Sequence, residues 1–89
     1  MKRNGDFLLR SVADTLVLVP IGDAVSSFEG MVTLNATGAF LWETLETAQT
    51  AESLTKALTD RYDVTEEKAR HDVDAFVAAL MPIGAILES

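Results

Sequence analysis

Apolar positions fall into two regimes along the chain, alternating or running together early and recurring at helical spacing later. Phe7-Leu8-Leu9-Arg10 is a short apolar stretch, and Ala13-Asp14 reads as a turn. Thr15-Leu16-Val17-Leu18-Val19 is rich in β-branched residues and ends at Pro20, which cannot continue a central ladder. This pattern predicts two strands joined as a hairpin. Gly22-Asp23 supplies turn chemistry, and 24–28 is either an irregular loop or a single helical turn. A third strand is expected over 29–34, where Gly30 marks a bulge or a close backbone approach. Period two puts Phe28, Val32 and Leu34 on one face and Glu29, Met31 and Thr33 on the other, unless a bulge at Gly30 shifts the register.

The alternation stops at Asn35, and a helical pattern begins at once. Asn is among the best N-caps, because its side-chain oxygen accepts a backbone N–H that the first turn leaves unpaired. A strand therefore feeds a helix over about 36–47 with almost no loop, and Leu41 and Leu45 face one way beside Gly38 and Trp42. Gly38 lowers helix propensity by about 1 kcal/mol relative to Ala, so close packing against its Cα is expected. Thr50 caps a second helix, with Glu52 in the first turn to complement the dipole and Leu54, Ala57, Leu58 and Tyr62 at helical spacing. Asp63 or Thr65 caps the third, and an Asp63 cap would pair with Glu66 in a capping-box arrangement. Ala69, Val73, Phe76, Val77 and Leu80 form its apolar stripe. Pro82 and Gly84 end it, and Ala85-Ile86-Leu87 packs back as a short extended tail. The fold class predicted is α+β of winged-helix type, with three antiparallel strands followed by three helices.

With 89 residues, one domain over 1–89 is expected, burying about 60% of the surface of the unfolded chain. That leaves little room for an enclosed active site. Fourteen acidic residues against seven basic ones give a formal net charge of −7. Phosphate backbones repel such a surface, and the basic residues form no stripe. No Cys is present, which excludes disulfides and thiolate metal sites, and one His makes zinc improbable. The longest apolar run, 16–21, is too short to span a bilayer, and Lys2-Arg3 leads into no signal-peptide core. A cytoplasmic location, no nucleic acid, no membrane, no cofactor and a monomer or weak dimer are therefore expected.

Three segments carry a resemblance: Thr33-Leu34-Asn35-Ala36-Thr37-Gly38-Ala39-Phe40-Leu41-Trp42, then Arg61-Tyr62-Asp63-Val64, then Asp72-Val73-Asp74-Ala75-Phe76-Val77. With the closing Pro82-Ile83-Gly84-Ala85-Ile86-Leu87-Glu88, their order and spacing resemble the PqqD-like family, the small peptide-binding domains also called RiPP recognition elements. The resemblance covers nearly the whole chain. It implies a non-catalytic adaptor that captures the leader segment of a ribosomally made precursor peptide, beside the third strand and against the third helix. It also implies a modifying enzyme as partner, often a radical S-adenosylmethionine maturase.

The residues alone allow the same surface. A strand at a sheet edge exposes N–H and C=O groups that invite another strand, with pockets for side chains giving selectivity. The candidate peptide-binding residues are Glu29, Met31, Val32, Thr33 and Leu34 on the strand, and Arg70, Asp74, Ala75, Val77, Ala78 and Met81 on the third helix. There the small residues Ala75, Ala78 and Ala79 admit close approach of another chain. Competing readings are weaker. His71 with Asp72 and Asp74 does not converge on a point, because adjacent helix positions diverge. Glu52-Ser53-Leu54 near a helix start resembles the phosphopantetheine motif of carrier proteins, but carriers are all-helical. A winged-helix DNA-binding regulator would need a basic recognition face. Trp42 and Phe40 are expected in the core.

Overall fold

The computed structural model describes residues 1–22, 25 and 32–88. Strands come first: β1 (Lys2–Arg3), β2 (Phe7–Val12), β3 (Thr15–Pro20) and β4 (Val32–Leu34) precede α1 (Ala36–Thr44), α2 (Ala51–Arg61) and α3 (Glu66–Leu80), and β5 (Ile86–Leu87) follows. Among the described residues the three-stranded antiparallel sheet has the order β2-β3-β4, which leaves β4 at its edge. The expected α+β class, with an antiparallel sheet ahead of three helices, is what the chain adopts. Of the third strand predicted over 29–34, Glu29, Gly30 and Met31 lie outside the described residues, as does Phe28.

Hydrogen-bond parity runs across the whole sheet. Ile21 N–H donates to the Asp6 carbonyl at 2.7 Å, which makes these two a bonded pair just beyond the ladder. Bonded and non-bonded pairs alternate in an antiparallel ladder. Leu8–Val19, Arg10–Val17 and Val12–Thr15 are therefore the bonded pairs of the hairpin, and the last closes the two-residue turn at Ala13-Asp14. On β3, Leu16 and Leu18 must then turn their main-chain groups toward β4, where they face Leu34 and Val32. Val17 and Thr33 stand opposite one another without exchanging bonds. The side chains follow suit. Val32 and Leu34 are half-buried against the core and Thr33 is exposed.

Three local devices set the helices. The Asn35 side chain accepts the Gly38 N–H at 2.7 Å and starts α1. A Cβ on Gly38 would lie 3.2 Å from Asn35 Oδ1 and 3.4 Å from Leu34 Cδ2, so glycine lets the cap sit tightly over the strand end. Thr50 and Ser53 form a reciprocal capping box on α2. Thr65, not Asp63, caps α3 by accepting the Lys68 N–H at 3.1 Å. α1 is shorter than its pattern suggested, ending at Thr44 with Leu45 as its C-cap.

The core joins all layers. Leu18 and Phe7 from the sheet meet Leu41, Trp42, Leu45, Leu54, Leu58, Val73, Phe76 and Leu80 from the helical half, all nearly or wholly buried. A second, two-stranded sheet closes the structure, pairing β1 with β5 through Lys2–Leu87 and Arg3–Ile86. Asn4 fastens it, its N–H to the Ala85 carbonyl at 2.8 Å and its Nδ2 to the Gly84 carbonyl at 2.9 Å. The expected extended tail is thus a strand with a partner, which buries Ala85 and Ile86.

Candidate functional site

A groove of about 480 Å³ runs between the edge strand β4, the first turn of α1, and α3. Its floor is apolar, made by Leu41, Leu58, Phe76 and Leu80, and Tyr62 and Val64 border it. Phe40 supports Tyr62 from outside the groove, edge to face at 5.7 Å between ring centroids. Trp42 is buried, with the Arg3 guanidinium 5.9 Å from its ring centroid. Both aromatic residues therefore pack in or against the core, as expected.

α3 supplies Lys68, Asp72, Ala75, Phe76, Ala79 and Leu80 to the groove. Lys68, Asp72, Ala75 and Ala79 recur at helical spacing and form one flank of the buried stripe Ala69, Val73, Phe76 and Leu80. Arg70, Asp74 and Met81 lie on the opposite flank, with Arg70 about 140° round the helix from Ala75. Arg70 lines a separate, polar depression between α2 and α3 with Glu52, Thr55, Lys56, Thr59, Val64 and Glu66. Of the sequence-derived candidates, the structure gathers Val32, Thr33, Leu34 and Ala75 around one groove. It places Arg70, Asp74, Val77, Ala78 and Met81 outside that lining, and Glu29 and Met31 lie outside the described residues.

Sequence reasoning did not select Lys68, Asp72, Asn35, Thr37, Tyr62 or Val64, all of which line the groove. The signal was present for two of them: Lys68 and Asp72 fall on the same helical row as Ala75 and Ala79. Lys68 Nζ lies 3.3 Å from Asp72 Oδ1, and Arg70 Nε lies 3.2 Å from Asp74 Oδ1. Each row of α3 thus carries one internally neutralised pair. Between exposed groups such pairs stabilise a helix by only about 0.3–0.5 kcal/mol.

The competing chemistry finds little support in the geometry. His71 is exposed, with Nδ1 3.8 Å from Asp72 Oδ1. The Ser53 hydroxyl accepts the Thr50 N–H at 2.8 Å and lies 2.7 Å from Gln49 Oε1, so it works as a cap. Among the described residues no group of three His, Asp or Glu side chains converges to hold a metal, and no helix is long and apolar enough to cross a membrane.

Compared with known proteins, residues 15–86 match the family described as Coenzyme PQQ synthesis protein D (PqqD). Two solved structures share the fold over nearly their full length. One is TbiB1 in complex with the TbiA(beta) leader peptide, 21% identical, covering 100% of this chain and 98% of that one, with a TM-score of 0.74. The other is lasso peptide synthetase B1 complexed with the leader peptide, 22% identical, covering 98% of this chain and 96% of that one, with a TM-score of 0.72. No curated protein matches the chain.

Proposed function

The chain belongs to the PqqD family, and from that premise we propose that it is a non-catalytic adaptor for a ribosomally made, post-translationally modified peptide. It captures the precursor's leader as an added strand on β4, lying against α3, and presents the remainder to a modifying enzyme. A radical S-adenosylmethionine maturase is the partner that the family resemblance favours. Tethering raises the local concentration of substrate at that enzyme without any chemistry in the adaptor.

The observation that carries this reading is the open edge at Thr33. Its N–H and C=O turn away from β3 and look out beside an apolar groove bounded by α3. An extended peptide satisfies such groups through main-chain bonds and seats alternate side chains in the groove. The two solved structures of the same fold both hold a leader peptide, which adds to the case. Ordering a disordered leader costs roughly 2–5 kcal/mol of the gross interaction energy, so a moderate affinity is expected.

The test is a titration of the ¹⁵N-labelled protein with a synthetic leader from a precursor encoded beside its gene. Shifts gathered at 32–34 and on the Lys68, Asp72, Ala75 and Ala79 row support the proposal. Saturable binding that perturbs only α2 or the Arg70–Asp74 flank refutes the groove. A co-purification with the neighbouring maturase tests the enzyme partner separately.

A further inference from the structure

We propose that β2, on the far side of the sheet from β4, receives an extended acidic segment of the modifying enzyme. An Asp or Glu of that segment lies beside Arg10, and apolar side chains two residues before and after it lie beside Leu8 and Val12. This rests on the adaptor reading above and gives the enzyme a surface separate from the leader's.

Parity across the hairpin opens this edge. Leu8, Arg10 and Val12 spend their main-chain groups on Val19, Val17 and Thr15, so Leu9 and Ser11 turn theirs away from β3. Among the described residues no strand lies beyond β2. Phe7 differs, because its N–H already donates to the Asn4 carbonyl at 3.1 Å. Edge strands are commonly guarded by proline, by a bulge or by several charges. β2 contains no proline, pairs residue for residue with β3 from Phe7 to Val12, and carries one charge, Arg10. The face that bears Arg10 also bears Leu8 and Val12, 39% and 57% exposed. Such an edge is a template for another strand.

Charge selects the occupant. On the helices, Lys56, Lys68 and Arg70 are each held by an aspartate one turn on. Arg10 is exposed and forms no ion pair among the described residues. A second copy of the chain is a poor partner. Two copies of net charge −7 repel one another, and a two-fold pairing of Leu9 with Ser11 sets Arg10 against its own copy. An acidic strand meets neither penalty. Every second side chain of an added strand shares the face of Leu8, Arg10 and Val12. A carboxylate beside Arg10 makes a cross-strand ion pair, while its neighbours two residues away cover Leu8 and Val12. On the opposite face, Leu9 borders a groove of about 320 Å³ with Phe7 and Trp42, where Arg3 and Glu43 leave no net charge. β3 separates the two edges. At about 4.8 Å per strand step, a strand on β2 lies roughly 19 Å from a leader on β4, so the two do not compete.

The probes are the purified modifying enzyme encoded beside the gene and overlapping peptides that cover its sequence. Each is titrated into the ¹⁵N-labelled full chain, with and without saturating synthetic leader. The expected result is amide shifts at Leu9 and Ser11, the same in both conditions, from the enzyme and from peptides with the apolar-x-acid-x-apolar spacing. Arg10→Glu should weaken both several-fold, and less so at high salt. Ser11→Pro, which removes an outward donor, should weaken both about tenfold. Neither variant should change leader binding, which also reports that the fold is intact. Enzyme binding that survives both variants, or that shifts only other elements, overturns the inference and leaves leader capture standing. Peptides that bind β2 without an acid, or β2 shifts that follow protein concentration alone, overturn the choice of occupant. An enzyme that docks on β2 of a chain that binds no leader supports the docking edge and refutes leader capture instead.

Discussion

Thr33 stands directly opposite Val17 in the sheet, yet the two exchange no main-chain hydrogen bond. Val17 instead bonds across to Arg10, on the other side of β3. Val17 is therefore satisfied within the sheet, while Thr33 is left facing outward at the edge. This one relationship sets both where a peptide can attach and which substitutions separate binding from folding.

Replacing Thr33 with proline removes a donor that none of the described strands uses. Proline is tolerated on edge strands where its missing N–H would face solvent. Thr33→Pro should fold, with a melting temperature within a few degrees of the parent, and lose peptide binding by about tenfold or more. Leu34→Pro breaks a bond to Leu16 and should lower the melting temperature markedly. Thermal melts paired with calorimetric titration read both effects.

The small residues of α3 offer a steric test. Ala75 and Ala79 are exposed and line the groove, whereas Ala78 is exposed and lies outside its lining. Ala75→Leu and Ala79→Leu should each cut affinity by filling the space a peptide would use, with stability changed by no more than about 0.5 kcal/mol. Ala78→Leu should match the parent in both. Equal loss from all three would mean that the peptide lies elsewhere on the helix.

Charge provides a second contrast on the same helix. Asp72→Lys and Asp74→Lys each break one exposed pair, at a similar small cost in stability. Only Asp72 borders the groove. Asp72→Lys should weaken a basic leader several-fold at low salt and less at high salt, while Asp74→Lys leaves binding unchanged. Titrations at two ionic strengths make the comparison.

The hairpin turn carries a removable strain. Ala13 has φ of 55°, a left-handed conformation that costs a residue bearing Cβ roughly 1–2 kcal/mol. Ala13→Gly should raise stability by about 0.5–1 kcal/mol, part of the relief being offset by the greater freedom of glycine in the unfolded chain. Chemical denaturation reads the change, and a destabilised variant would contradict it.

What the sequence made legible is what local chemistry decides. Asn35 announced the strand–helix junction because a cap oxygen and the N–H that donates to it lie three positions apart, and Thr50 did the same for α2. Asp63 and Thr65 were equally good caps locally, and only the folded chain shows Thr65 in use. β1 left no trace and β5 showed only as an extended tail, because two-residue strands have no period and their pairing is held by partners such as Asn4 and Gly84, far apart in sequence. The groove was half legible. Periodicity located the buried stripe of α3, but a stripe has two flanks. Packing against α2 and the shared core, not spacing, sets Lys68, Asp72, Ala75 and Ala79 along the groove beside β4, and Arg70 along the depression beside α2.

Amide hydrogen exchange at Thr33 tests the central claim most directly. In the free protein its N–H should exchange rapidly, while those of Val32 and Leu34, bonded to Leu18 and Leu16, are protected. Saturation with a synthetic leader peptide should slow Thr33 by about tenfold or more and change its two neighbours far less. A Thr33 amide already protected in the free protein, or one that exchanges at its free rate in the saturated complex, would contradict strand addition at this edge.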